Sequence, residues 1–225
     1  MSSRSDNPSL TKQAYDGIYN KIITMELSPG QRLDEKLLME ELGIGRTPIR
    51  EALLWLAGDL MVESFRNKGF IVRPILLQNT KAVFEALRIL ESGVAELAVR
   101  HDIKPFLKMM KADNEGVKKA VKQKDMLQLV QYNSDFHLHF AACSCNEYLL
   151  KALTTVRCEG KRLAFLSYGN EISSGKSLET HYQTVISQHE ELISSLEARD
   201  EKTLNEIIEK HISEFQQRII LYMMG

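Results

Sequence analysis

Asn133 and His137 stand four residues apart in NSDFHLHF. His189 in ISQHEELI and His211 in EKHISEF each sit among apolar residues at helical spacing. Four residues make about one helical turn, so Asn133 and His137 share a face. An amide oxygen and three imidazoles from three helices can converge on one divalent cation and leave positions for water or a ligand. Spacing alone leaves a second reading open, in which each inward histidine is a hydrogen-bonded core residue. Asp135 lies two residues beyond Asn133, turned about 200° around the helix, and is a poor substitute ligand. Cys143 and Cys145 have no second pair to complete a metal site and read as small buried side chains. With Cys158 they make three cysteines, which fits a reducing compartment better than a disulfide framework. His101, His139 and His181 receive no role.

A second set lies in LGIGRTPIREALLWL, Leu42 to Leu56. Arg46 and Arg50 fall one turn apart on one face, while Ile49, Leu53 and Leu56 point the other way and Trp55 packs at the edge. Pro48 falls in the first turn, where its missing N–H removes no helix bond. The product is a short rod with guanidinium groups at its N-terminal end. Such an end fits the major groove of duplex DNA, where one arginine can bridge O6 and N7 of guanine and its neighbour can hold a phosphate. Thr47 can donate to a phosphate or touch a thymine methyl. A lone arginine pair is more often a solvated surface; here the surrounding elements agree with the DNA reading.

Those elements are legible from periodicity and punctuation. Ala14, Ile18, Ile22 and Met25 predict a helix over 9–27, ended by Ser28-Pro29-Gly30. Asp34 caps a short helix through Leu42, Gly43 to Gly45 form a tight turn, and a third helix runs from Arg46 to about Gly58. MVESF and GFIVRP, joined by RNKG, read as a hairpin. Three helices and a hairpin make a winged helix-turn-helix over residues 1–75. From there the signal is helical, in six segments near 79–101, 104–124, 126–143, 146–169, 175–198 and 200–223, an antiparallel all-α bundle over 76–225. The chain is thus mainly α in two domains, with Asn79 or Thr80 available to cap the bundle's first helix.

The net charge of −1 hides a local imbalance. Residues 1–75 hold ten bases and ten acids, but the acids Asp34, Glu35, Glu40 and Glu41 come early and Arg46, Arg50, Arg66, Lys68 and Arg73 come later. A local basic face matters more to phosphate binding than the global sum. The first ten residues, MSSRSDNPSL, are polar and unlike a secretory leader. No run reaches the roughly 20 apolar residues of a membrane span, so a cytoplasmic protein without membrane partners is expected.

SPGQRLDEKLLMEELGIGRTPIREAL followed by KGFIVRP resembles the DNA-binding domain of the GntR family of bacterial transcription regulators, over about residues 10–75. The resemblance implies operator contacts from Arg32, Lys36, Arg46, Thr47, Arg50, Lys68 and Gly69. The sequence departs from the family at Gly45, where Ser or Thr is usual and a side-chain cap is lost, and at Leu60, where Gly usually precedes the wing. FEALRILESGVAELAVR, NSDFHLHFAACSCNEYL and HEELISSLEARDEKTLNEIIEKHI resemble the FCD ligand-binding domain of the FadR subfamily, over about 76–222, and six helices point to its VanR-like branch. That resemblance implies a divalent metal, often zinc, at Asn133, His137, His189 and His211, with Asn133 standing where relatives have an acid. It also implies an effector carboxylate paired with Arg88, for which a surface pair with Glu85 or Glu91 is the alternative. Asn146 lines the cavity or caps the following helix.

The function expected is that of a homodimeric regulator, a repressor by resemblance. It would bind a palindromic operator under control of a small organic acid. A dimer that senses nothing is one competitor. A metal hydrolase is the other, and no general base stands beside the histidines, since Glu190 points elsewhere on its helix.

Overall fold

The computed structural model describes residues 8–66, 69–168 and 177–224. The chain divides between Ile75 and Leu76 into two compact units.

In the first, α1 (Leu10–Ile23), α2 (Glu35–Leu42) and α3 (Arg46–Gly58) pack beside a three-stranded antiparallel sheet of β1 (Arg32–Leu33), β3 (Gly69–Val72) and β2 (Val62–Phe65), in that order. Ile18 and Ile22 of α1 meet Ile49, Leu53 and Leu56 of α3 in a core where all five are fully buried. Burial of each contributes about 1.5–3 kcal/mol. Asp34 caps α2 by accepting from the N–H groups of Lys36 (2.8 Å) and Leu37 (3.3 Å). Gly43, at φ 65°, ends it. Gly45 begins α3 without a side-chain cap.

Two details depart from the sequence reading. α1 stops at Ile23, and Met25 enters the left-handed region at φ 63°, so the chain turns before Pro29. β1 is two residues long, too short for any periodicity to show, and it is held by pairing Arg32 with Ile71 and Leu33 with Phe70. Trp55 lies at the edge as expected, half exposed and tilted against Tyr15.

The second unit contains α4 (Leu77–Ala98), α5 (Lys104–Gln123), α6 (Met126–Ala142), α7 (Glu147–Tyr168), α8 (Leu178–Ala198) and α9 (Glu201–Met224), the six helices found there among the described residues. α5 packs on α6 and α8, α6 on α7, and α4 and α8 on α9. Tyr132 of α6 lies flat against Gly116 of α5, where a Cβ would come within 2.5 Å of its ring. Thr80 does not cap α4, because the helix has already started; its hydroxyl donates to Leu76 O within the first turn. Cys145 is exposed, contrary to expectation, because it sits at φ 49° in the turn between α6 and α7. Cys143 and Cys158 are buried. No helix among the described residues is long and apolar enough to cross a membrane.

Candidate nucleic-acid interface and histidine centre

On the first unit, Arg32, Lys36, Arg46 and Gly69 line one cleft of about 620 Å³. Gly69 opens β3 at φ 79°, a backbone conformation that glycine adopts without steric cost. Arg50 joins the group through Glu35, whose Oε2 lies 3.8 Å from Arg46 Nε and 3.9 Å from Arg50 Nε. Both arginine side chains remain more than half exposed, and Thr47 beside them is exposed as well. Lys68 lies outside the described residues. Sequence reasoning missed Glu35, which it counted only as one acid among several; it opens α2, the helix that precedes the arginine-bearing one.

In the second unit, one ring nitrogen from each of His137 (α6), His189 (α8) and His211 (α9) lies within 4.8 Å of the other two, a grouping that could hold a metal ion. All three rings are buried. Two are oriented by amides that are themselves anchored. Asn114 of α5 donates to Ile186 O at 3.3 Å, and its Oδ1 therefore faces His189 Nδ1 at 3.0 Å. Gln188 donates to Glu214 at 3.1 Å, and its Oε1 faces His211 Nδ1 at 2.7 Å. Both rings accordingly carry their proton on Nδ1 and turn an Nε2 lone pair inward. His211 Nε2 and His137 Nε2 are 3.2 Å apart, a spacing that two ligands on a tetrahedral ion with bonds of about 2.0–2.1 Å also adopt.

The buried Asn133 Oδ1 and His189 Nε2 have no hydrogen-bond partner. A buried polar atom left unsatisfied costs about 1–3 kcal/mol. Asn133 and His211 border a chamber of about 10 Å³, roughly one water-sized sphere, lined also by Arg157, Gln188 and Glu214. Burial, reinforced by the Arg157 guanidinium, keeps His137 and His189 well below the ordinary imidazole range and His211 down at about 3. The rings are therefore neutral, the form that ligates a cation.

Arg157 of α7 was not singled out from the sequence, and Glu91 of α4 was considered only as a surface partner of Arg88. They form a buried ion pair, and the same Arg157 NH2 donates to His137 Nδ1 at 2.8 Å. The signal was present: in Leu153, Arg157 and Ala164, a base interrupts the buried stripe of α7. All six helices thus supply a side chain to this network.

The two candidate effector contacts both have partners within the chain, and Asn146 takes the capping role the sequence offered. Arg88 lies at the edge of the buried stripe Phe84–Leu87–Glu91 and faces α9, where it donates to Glu209 (2.9 Å), Gln216 (2.8 Å) and Ser213 (3.2 Å). Asn146 caps α7, accepting from the N–H groups of Tyr148 (3.0 Å) and Leu149 (3.2 Å). Neither residue lines the chamber.

A winged helix with an arginine-bearing second element, followed in the same chain by an all-helical domain around a buried polar centre, defines a DNA-binding transcription regulator. Residues 10–72 match the bacterial regulatory proteins of the gntR family and residues 82–214 match the FCD domain. The chain belongs to the GntR family, in its FadR-like arrangement of a GntR domain followed by an FCD domain. It is 27% identical to the Nta operon transcriptional regulator of Aminobacter aminovorans, over 90% of this chain and 91% of that one. It is 20% identical to the gluconate operon transcriptional repressor of Bacillus subtilis, over 88% and 80%. The solved structure of E. coli McbR/YncC shares the fold, with a TM-score of 0.80 and 22% identity over 97% of this chain and 99% of that one. These relatives and this fold are those of regulators, not enzymes.

Proposed function

We propose that the chain is a cytoplasmic, homodimeric repressor that releases a palindromic operator when a small carboxylate binds its FCD domain beside a divalent cation, zinc by donor chemistry. The observation that carries the DNA half is the cleft on the first unit, which gathers Arg32, Lys36, Arg46 and Gly69 around the exposed end of α3. Arg46 and Arg50 read bases in the major groove, and Thr47 and Lys36 hold phosphates. Arg32 lies near the backbone, and Gly69 at the start of β3, with Lys68 by family resemblance, contacts the operator. Residues 1–75 bind DNA and 76–225 pair the two copies and bind the effector. A two-fold dimer presents two such helices to a two-fold site.

The metal reading rests on one nitrogen from each of His137, His189 and His211 lying within 4.8 Å of one another, and on the partnerless His189 Nε2 and Asn133 Oδ1. His137, His189, His211 and Asn133 would hold the ion, which supplies a fixed positive charge to which a carboxylate adds. Arg157 is the guanidinium that borders the chamber, in the role the sequence gave to Arg88. The chamber of about 10 Å³ is too small for an organic acid, so the effector must part the helices, and that displacement is the coupling to DNA. Repression agrees with the name of the gluconate operon transcriptional repressor.

In vitro selection of duplexes from a random library tests the DNA half. Inverted repeats are expected, bound with a steep salt dependence. No enrichment would overturn it. A thermal-shift screen of small carboxylates, with and without zinc, tests the sensing half, because a ligand that prefers the native state raises the melting temperature. The absence of any zinc-dependent shift across the screen counts against it.

A further inference from the structure

We infer that Arg157 is a built-in competitor for the cation: it holds His137 in the tautomer that cannot ligate, so a metal ion enters only as the guanidinium leaves the ring. This inference rests on the metal reading above and adds an internal control to it.

A guanidinium can only donate hydrogen bonds. The 2.8 Å contact from Arg157 NH2 therefore requires a lone pair on His137 Nδ1, and the ring must be neutral. Its single proton then sits on Nε2, 3.2 Å from His211 Nε2. His211 accepts there, because its own proton is on Nδ1, facing Gln188 Oε1. The assignment closes without conflict around the three rings. It leaves the imidazoles unequal. His189 and His211 present lone pairs, whereas His137 presents an N–H inward and has its other nitrogen covered.

Ligation by His137 Nε2 moves the ring proton to Nδ1, with no net gain or loss of protons. An N–H at Nδ1 would then confront the Arg157 N–H, donor against donor, at a distance that only a hydrogen bond tolerates. Arg157 must withdraw, and Glu91, which already pairs with it, is the partner that keeps its charge neutralised. The withdrawing guanidinium also removes a positive charge from beside the incoming cation. Asn133, in place of a carboxylate, gives the metal less to set against this competition.

Zinc titration of the full-length, metal-stripped protein against a chromophoric chelator tests the inference. The double variant E91Q/R157M removes the competitor without leaving a buried carboxylate unpaired. It is expected to bind zinc about tenfold tighter than wild type, the scale on which outer-shell partners act. E91Q alone leaves the arginine without its alternative partner and is expected to bind zinc more weakly. Equal zinc affinity in wild type and double variant overturns the inference and spares the metal reading. No zinc binding by either protein overturns both. Should the double variant fail to fold, long-range proton–nitrogen NMR of the wild-type ring decides: Nε2–H without zinc and Nδ1–H with it are expected, and Nδ1–H in the metal-free protein overturns the inference.

Discussion

Arg46 and Arg50 stand at the surface of the first unit and approach Glu35 only to 3.8 and 3.9 Å, whereas Arg157 lies inside the bundle, its side chain 7% exposed, against a Glu91 that is 2% exposed. An exposed pair of the first kind contributes about 0–1 kcal/mol and is readily exchanged for a phosphate. A buried pair has already lost its water, and removing one partner strands the other. The winged unit therefore keeps an apolar core and leaves its charges available to a large polyanion. The bundle does the reverse: its chemistry is in its core, and each group there depends on side chains from other helices.

The largest effect expected from this contrast is on folding. Arg157→Leu leaves Glu91 buried without a counter-charge and should lower stability by about 3–5 kcal/mol in urea unfolding. Arg46→Ala and Arg50→Ala should stay within about 0.5 kcal/mol of wild type in the same assay. A comparable loss in all three would erase the distinction between the two units.

The same surface variants should show their effect in binding. Arg46→Ala and Arg50→Ala are each expected to weaken operator binding by about 1–3 kcal/mol, roughly 5- to 150-fold, as read by fluorescence anisotropy. Unchanged affinity in both would remove the reason for placing DNA at this cleft.

Histidine titration should act on the bundle, since all six histidines of the chain follow residue 100. An unfolded histidine titrates near 6.5, whereas burial keeps His211 neutral down to about 3 and holds His137 and His189 well below their usual value. Below pH 6.5 the unfolded chain takes up protons that the folded chain refuses. The contribution of these rings is complete above that pH and is lost as pH falls towards 3, by at most about 1.4 kcal/mol per pH unit per ring. Helix-detected unfolding of the metal-free protein at pH 7 and pH 5 measures the slope, and His211→Gln should flatten it. A variant with the wild-type slope would show that His211 takes up its proton alike in the folded and unfolded chain.

The smallest expected change is local to the winged unit. Leu60 holds φ at 59° just before β2, with half its side chain exposed. Left-handed backbone costs a non-glycine residue about 1–2 kcal/mol, part of which glycine forfeits in chain entropy. Leu60→Gly should raise stability by about 0.5–1 kcal/mol without touching the bundle. A lowered melting temperature would mean that the Leu60 side chain contributes packing that outweighs its strain.

The winged unit was open to sequence reading because its determinants are local. Asp34, Gly43, Pro48 and the apolar spacing of α3 each act within a turn or two of chain. The exposed arginines followed directly once the buried face of that helix was known. The one element missed there, β1, depends on pairing with Ile71 and Phe70, nearly 40 residues away. Within the bundle, periodicity placed the helices to within a few residues, but it could not rank the polar groups inside them. Arg88 and Arg157 look alike as letters on amphipathic helices. Arg88 turned out to meet α9 at the rim, and Arg157 turned out to meet His137 and Glu91 in the core.

What the sequence determined alone was therefore what is written within a turn or two of chain: the helices, the cap at Asp34, the face that carries Arg46 and Arg50, and the inward direction of His137, His189 and His211. Tertiary structure decided which inward groups meet, which arginine reaches the histidines, and on which nitrogen each ring keeps its proton. The reason is that a hydrogen-bond network spanning six helices is fixed by how they pack against one another, and no spacing along a single helix encodes the donor that the opposite one will present.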